Sequence, residues 1–121
     1  DHILAGKLPK PGRISLSPML TYRGKLYGDL TVACLSEEKF MIFGSGAVQD
    51  MHRRWIENLL PKEGVTYKNR SDDYHGLAIS GPKSRELLSK ICRDDVSKDS
   101  FKAFMAGTNF LLCNQSLNSS L

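Results

Sequence analysis

The residue best placed to do chemistry is Asp29, a carboxylate inside a segment that otherwise has the pattern of an uncharged strand. Over Leu26–Ala33 the residue types alternate with period two, so that Leu30 and Val32 share one face and Asp29 and Thr31 the other. Aspartate is among the residues least favoured inside a strand. The carboxylate is therefore either solvated on the wet face of an antiparallel sheet or lines a pocket above it, where it accepts hydrogen bonds or takes a proton.

A second candidate is the short segment Gly44-Ser45-Gly46, which follows an apolar strand and precedes a predicted helix. Glycines let a backbone approach a ligand closely, and the start of a helix offers free N–H groups. The segment is not a P-loop, because no Lys-Ser/Thr pair follows it. A plain strand-to-helix turn with Ser45 near the N-cap is the alternative.

Metal and disulfide chemistry are disfavoured by the spacing of the remaining candidates. The three cysteines and three histidines are far apart and include no CxxC pair: Cys34, Cys92, Cys113, His2, His52 and His75. We expect reduced thiols in an intracellular compartment and no metal site. The adjacent Asp72 and Asp73 are interpreted as turn residues, because no further acidic residues follow at calcium-loop spacing.

The elements that must position Asp29 begin with Gly12–Ala33, which predicts two strands joined by a tight turn around Gly24. The segment Phe40–Phe43 predicts a third strand, and its apolar residues on both faces favour a central position in the sheet. An amphipathic helix is predicted over Ala47–Leu60, ended by Pro61. Within it, Asp50 and Arg54 are spaced to pair.

The second part of the chain predicts two further short strands, Val65–Lys68 and Tyr74–Ser80, and a helix that begins near Pro82. Its apolar residues Leu87, Leu88 and Ile91 are expected on the buried side. The order strand, strand, strand, helix, strand, strand, helix predicts an α+β fold with a mainly antiparallel sheet and two helices. A split β-α-β arrangement is also compatible with this order.

Composition bounds the class of protein. The 121 residues are enough for one small domain at most, and the net charge of +4 is spread along the chain. This charge helps to attract an anionic ligand or keeps the chain soluble, and nothing resembles a nucleic-acid fingerprint. We see no apolar run near the roughly 20 residues of a membrane span and no signal peptide. Because the first residue is not Met, we expect a processed chain or a piece of a longer one.

Several blocks of this sequence resemble the folate-binding domain of the glycine-cleavage aminomethyltransferase (T-protein) family. The pattern ML-x-x-x-G-x-x-x-x-DLTV is present as Met19-Leu20, Gly24 and Asp29–Val32. Four further blocks occur in the family's order and are most like the branch fused to dimethylglycine and sarcosine dehydrogenases: Gly12–Leu20, Phe40–Gly46, Arg54–Glu57 and Gly76–Leu88.

The resemblance implies half of a T-protein-like folate-binding domain. It divides the chain into a lead-in linker (1–11), a partial folate-binding domain (12–101) and a divergent tail (102–121). Family members continue into a second half-domain with a Tyr-Thr-Gly-Glu type motif, which this sequence lacks. They also imply a separate FAD domain, and no GxGxxG follows any predicted strand here.

The resemblance also implies a function. In such enzymes an FAD domain oxidises an N-methyl amine, and the folate domain captures the one-carbon unit on tetrahydrofolate to give 5,10-methylenetetrahydrofolate. Asp29 corresponds to the family's folate-site carboxylate and is the candidate catalytic residue. The candidate folate contacts are Leu16, Met19, Asp29, Ser45 and Gly46. Tetrahydrofolate is the implied cofactor, and FAD belongs only to the partner domain.

A non-enzymatic alternative remains open. The chain is then a truncated, inactive fragment or an interaction module, which self-associates through open strands and an uncovered apolar face. The resemblance makes the parent protein a folate-dependent oxidoreductase, and we expect the isolated chain to be incompetent as an enzyme because it lacks the second half-domain. The expected partners are folate, the second half-domain and the FAD domain, with neither nucleic acid nor membrane. The expected location is the mitochondrial matrix in a eukaryote or the cytoplasm in a bacterium.

Overall fold

The computed structural model describes residues 3–106, so most of the predicted tail 102–121 lies outside the described residues. The chain divides into two compact units, Asp1–His75 and Gly76–Leu121. In the first unit, three strands form an antiparallel sheet in the order β1, β2, β3: Ile14–Leu20, Leu26–Ser36 and Lys39–Phe43. The turn between β1 and β2 has Gly24 at φ +72°, a conformation that glycine adopts without strain. The predicted α+β fold with an antiparallel sheet is confirmed.

The prediction that the third strand is central is wrong for the strands that the structure describes. β2 is the middle strand and pairs with β1 on one side and with β3 on the other. Because both connections are short, consecutive strands become neighbours, and β3 takes the edge. Its apolar residues Phe40, Ile42 and Phe43 are exposed, so its pattern on both faces does not reflect burial in the sheet.

The predicted first helix is confirmed as a 3₁₀ turn at Gly46–Val48 followed by α1, Gln49–Leu59. It stops at Leu60, which has extended backbone angles, because a following proline disfavours the helical conformation. The predicted pair of Asp50 and Arg54 is replaced by contacts of Arg53, which lies 3.3 Å from Asp50 and 3.8 Å from Glu57. These exposed ion pairs contribute little to stability.

α1 packs on one face of the sheet, where Met19, Leu30 and Ile56 form the buried core of the first unit. Partly buried residues surround this core: Ile3, Leu4, Tyr27, Trp55, Leu60 and Tyr67. The Trp55 ring stacks on Tyr27 with 4.4 Å between centroids. Burial of these apolar side chains is the main term that holds the helix against the sheet.

The segment predicted as a lead-in linker is packed against this unit. The Trp55 indole Nε1 donates a hydrogen bond of 3.1 Å to the Ile3 carbonyl. The Ala5 N–H donates to the Pro18 carbonyl at 2.9 Å, which attaches the segment to β1. Ile3 and Leu4 therefore contribute to the core of the first unit.

The two predicted strands Val65–Lys68 and Tyr74–Ser80 are not formed; both segments are irregular. A strand is stable only where a neighbouring strand satisfies its backbone N–H and C=O groups. In the described part of the chain the sheet ends at β1 and β3, and neither segment pairs with it. The sequence pattern is that of an extended chain but carries no information about a pairing partner.

The second unit contains α2, Ser84–Ile91, which confirms the second predicted helix. Gly81, three residues before α2, has φ +119°, a backbone conformation that residues with a side chain rarely adopt. Leu87 and Ile91 are exposed, so the prediction that they are buried is wrong. Among residues 76–106 of this unit the buried one is Val96, whose carbonyl accepts a hydrogen bond from Arg85 Nη1. This contact fixes the chain after α2 against the helix.

A pH effect is expected from Asp95 in the second unit. Its carboxylate accepts hydrogen bonds from the Ser100 hydroxyl and from the Ser97 N–H and hydroxyl, and these lower the pKa of Asp95 below its usual 3.8. A lowered pKa in the folded state stabilises the unit at pH above 3.8, and this stabilisation is lost as pH falls through the folded pKa. Asp95→Asn is therefore expected to flatten the acid side of the stability profile.

The measurement for Asp95 is the urea midpoint of the second unit between about pH 2 and about pH 5. The control is Asp99→Asn, which removes an exposed carboxylate nearby. Equal pH profiles for wild type and Asp95→Asn would show that these hydrogen bonds do not stabilise the folded state.

Candidate functional site

A hollow of about 300 Å³ opens beside the sheet at the turn that follows β3. It is lined by residues from all three strands and from the turn after β3: Leu16, Asp29, Leu30, Thr31, Phe43, Gly44 and Ser45. Three of the residues predicted from the sequence as folate contacts, Leu16, Asp29 and Ser45, therefore lie together. The hollow also includes Phe43, which the sequence did not single out as a site residue.

Strand register explains why these residues meet. Leu16 is opposite Thr31, and Thr31 is opposite Phe43. Directly opposed residues in an antiparallel sheet point to the same face, and Asp29 lies two positions before Thr31 on that face. The pairing of β3 with β2 ends at Phe43, so the chain leaves the sheet at Gly44 before it reaches the level of Asp29. The carboxylate consequently lies at an open corner of the sheet.

The Asp29 side chain is exposed, and none of the described residues gives it a hydrogen bond or an ion pair. Two exposed apolar side chains line the same hollow as this carboxylate: Leu16 is 67% exposed and Phe43 is 49% exposed. An ionised carboxylate is an acceptor only, with about four lone-pair directions. This arrangement leaves the acceptor capacity of Asp29 available to a ligand whose flat apolar surface rests on Leu16 and Phe43.

Ser45 precedes the 3₁₀ turn in an extended conformation, with φ −70° and ψ 130°. Ser45 thus stands at the N-cap position, as the alternative interpretation predicts. Its hydroxyl nevertheless makes no capping hydrogen bond to that turn. Gly46 does not line the hollow, and a Cβ added there would meet nothing within 4 Å. Its backbone is open to approach from outside.

Met19 lies away from the hollow. It is opposite Gly28 in the register, on the face that packs against α1, and it is fully buried in the core. Its side chain therefore fills the core of the first unit and does not belong to the proposed ligand contacts.

The comparison with known proteins assigns the family. Residues 1–116 match the family described as the GCVT N-terminal domain. The chain belongs to this family. The match extends beyond residues 12–101 at both ends, and the resemblance inferred from the sequence blocks is confirmed.

Relatives of this GCVT N-terminal domain include two named enzymes. The chain is 38% identical over 105 residues to "Dimethylglycine dehydrogenase, mitochondrial" of Homo sapiens. This alignment covers 84% of this chain and 12% of the human protein. It is 30% identical over 113 residues to "Aminomethyltransferase" of Natranaerobius thermophilus, and this alignment covers 84% of this chain and 31% of that protein. The chain thus spans about an eighth and about a third of the lengths of these relatives.

One residue of the GCVT N-terminal domain near the hollow was missed by the sequence. His52 of α1 is only 6% exposed and lies between Gly28 of β2 and Gly44. Its Nδ1 atom is buried, and no described residue offers it a hydrogen bond. An unsatisfied buried polar atom costs about 1–3 kcal/mol. The spacing of four between His52 and Ile56 was the available signal, because it places both on one helix face.

A larger cavity of about 540 Å³ lies in the second unit. Its lining is mostly charged and polar: Arg85, Glu86, Ser89, Cys92, Arg93, Asp94, Asp95, Val96 and Ser97. Binding sites for small organic ligands are lined mainly by apolar and aromatic side chains with a few polar groups. The smaller hollow has that composition and the larger cavity does not. The lining residues therefore favour the hollow as the ligand-binding site, although it is the smaller of the two.

Metal-binding clusters and membrane-spanning helices are absent from residues 3–106. In that range no group of three or more His, Cys, Asp or Glu side chains is arranged to hold a metal ion. No helix of the same range has the length and apolar character needed to cross a membrane.

Proposed function

We propose that this chain supplies a tetrahydrofolate-binding surface to a dimethylglycine dehydrogenase-like enzyme. The observation that carries the proposal is the unpaired Asp29 carboxylate, which lines the same hollow as the exposed side chains of Leu16 and Phe43, in a chain of the GCVT N-terminal domain family. The similarity to dimethylglycine dehydrogenases and to aminomethyltransferases supports the same assignment.

The hollow has the chemistry that a reduced pterin requires. A pterin is a flat ring with several N–H groups, and the apolar side chains of Leu16 and Phe43 offer it a surface to rest on. The Asp29 carboxylate accepts hydrogen bonds from its N–H groups, and the Ser45 hydroxyl is a second polar contact. Gly46 offers an approachable backbone next to it. At about 300 Å³ the hollow is at the lower end of ligand pockets, so other segments of a longer protein would enclose the rest of the ligand.

Asp29 is the proposed catalytic residue. Its negative charge orients the folate amine and stabilises positive charge that develops at nitrogen during one-carbon transfer. In this proposal the same carboxylate takes up a proton from that nitrogen. Tetrahydrofolate supplies the nitrogen atoms that receive the one-carbon unit, and the product is 5,10-methylenetetrahydrofolate.

The whole enzyme in this proposal is larger than the chain. A separate FAD domain oxidises the N-methyl amine, and a second half-domain completes the folate pocket. In a eukaryote we place the enzyme in the mitochondrial matrix, in keeping with the names of the human, mouse and rat relatives. In a bacterium we place it in the cytoplasm.

Isothermal titration of 5-formyltetrahydrofolate into the chain tests the proposal. We expect saturable binding with one site per chain. The matched control ligand is p-aminobenzoylglutamate, which carries the same negative tail without the pterin ring, and we expect it not to bind. This control matters because the net charge of +4 attracts any anion. No binding of either ligand up to about 1 mM, which corresponds to about 4.1 kcal/mol, by a folded sample would refute the proposal.

The second candidate is an interaction module or an inactive fragment. The specific observation in its favour is the exposure of apolar side chains on the sheet, including Leu16, Leu20 and Phe43. Sedimentation velocity separates the two candidates, because a monodisperse monomer favours a self-contained ligand-binding module. Concentration-dependent association that Leu16→Ser abolishes favours an interaction surface.

A further inference from the structure

His52 occupies a slot between two backbone segments of the first unit. A Cβ added to Gly28 would lie 2.9 Å from His52 Nε2, and one added to Gly44 would lie 2.7 Å from His52 Nδ1. Separations below 3.0 Å are not tolerated without movement of one partner. The imidazole ring thus fills the space that two missing side chains leave, one in β2 and one directly after β3.

Through its contact with Gly44, His52 touches a residue that lines the hollow. Gly44 connects Phe43 to Ser45, and all three residues line the hollow. A Cβ at Gly44 would also lie 2.8 Å from Leu30 Cδ2, so the chain is closely packed at this point on the side of His52. At Gly46, two residues later, a Cβ meets nothing within 4 Å. The close fit is therefore specific to the point where the chain turns away from the sheet.

We infer that His52 is a positioning residue of the proposed folate site. Its ring holds Gly44 and thereby sets where Phe43 and Ser45 stand relative to Asp29. The ring lies against both glycines although its buried Nδ1 finds no hydrogen-bond partner among the described residues, which costs stability. The inference rests on the proposed function, because the positioned residues are the proposed ligand contacts.

The first test uses the affinity of the chain for 5-formyltetrahydrofolate. His52→Ala is expected to weaken it about tenfold, because the Gly44 turn loses its support. Asn58→Ala, on the exposed side of α1, is the matched control and is expected to bind as wild type. An affinity of His52→Ala equal to that of wild type would overturn the inference.

A structural readout separates positioning from general loosening of the helix. Trp55 is the only tryptophan of the chain and stacks on Tyr27, so its emission reports the docking of α1 on β2. We expect weaker binding by His52→Ala with an unchanged emission maximum. Weaker binding accompanied by a red shift would show that His52 serves only to dock the helix, and would overturn the inference.

A rescue experiment tests the contact itself. Gly44→Ala alone is expected to weaken binding, because the new methyl group collides with the imidazole and with Leu30. In His52→Ala/Gly44→Ala the collision with the imidazole is removed and only the one with the end of the Leu30 side chain remains, so the double variant is expected to bind more tightly than Gly44→Ala. Losses that simply multiply would overturn the inference.

Absence of binding by wild type would defeat the proposed function, and amide exchange then decides the inference alone. The Val48 N–H donates to the Ser45 carbonyl at 3.3 Å, directly after the Gly44 turn. In His52→Ala this amide is expected to exchange at least about tenfold faster, measured by NMR, while amides of the β1–β2 ladder keep their protection. Unchanged exchange at Val48 would overturn the positioning role.

Discussion

Asp29→Asn is expected to weaken the binding of 5-formyltetrahydrofolate by at least about tenfold, which corresponds to about 1.4 kcal/mol. The substitution keeps the size of the side chain and one acceptor oxygen, but it removes the negative charge. Hydrogen bonds to an ionised acceptor are about twice as strong as neutral ones. Since no described residue shares the carboxylate, nothing else in the hollow replaces that charge. Isothermal titration of both proteins at one ionic strength gives the comparison.

Glu38→Gln is the matched control for this experiment. Glu38 is an exposed carboxylate in the turn between β2 and β3, and its loss changes the net charge of the chain by the same amount. We expect its affinity to equal that of wild type. Equal weakening in both variants would mean that the ligand responds to overall charge and that Asp29 has no specific role.

Ile56→Ala is expected to destabilise the first unit by about 2–5 kcal/mol. Ile56 is 4% exposed and packs with Met19 and Leu30 where α1 meets the sheet. Removal of its outer atoms leaves a cavity in a core that has few other buried apolar residues in the described chain. Urea unfolding followed by Trp55 fluorescence measures the effect, because this tryptophan reports on the first unit.

Leu59→Ala on the same helix controls for loss of an aliphatic side chain without burial. Leu59 is 38% exposed, and we expect a loss of less than about 1 kcal/mol. Ile56→Val is expected to fall between the two, at about 0.5–1.5 kcal/mol. Equal losses for Ile56→Ala and Leu59→Ala would contradict the placement of the core at this contact.

The elements near the hollow are predictable because their signals are local. Period-two alternation on both sides of Gly24 indicates the hairpin, and the apolar stripe that ends before Pro61 indicates α1. Both depend on neighbours within a few residues. The same local signals lead to error for 65–68 and 74–80, since strand formation depends on a distant partner.

The site is predictable in part. The period of a strand separates Leu16 from Met19, because residues three apart point to opposite faces. Applied strictly, this rule excludes Met19 from any contact that shares a face with Leu16, in agreement with its burial in the core. The helical period places His52 on the face of Ile56, but its fit between Gly28 and Gly44 is beyond such rules, because the two glycines come from different parts of the first unit. Close approach of backbone to a side chain leaves no periodic trace in a sequence.

The most direct test of the folate site is a titration of the ¹⁵N-labelled chain with 5-formyltetrahydrofolate, followed by backbone amide shifts in NMR spectra. The account predicts that the amides of Asp29, Thr31 and Ser45, which line the hollow, shift progressively and saturate together. The amides of Ser89 and Ser97, at the larger cavity of the second unit, are expected to stay unchanged. Shifts confined to that cavity, or no shifts in a folded chain, would contradict the account.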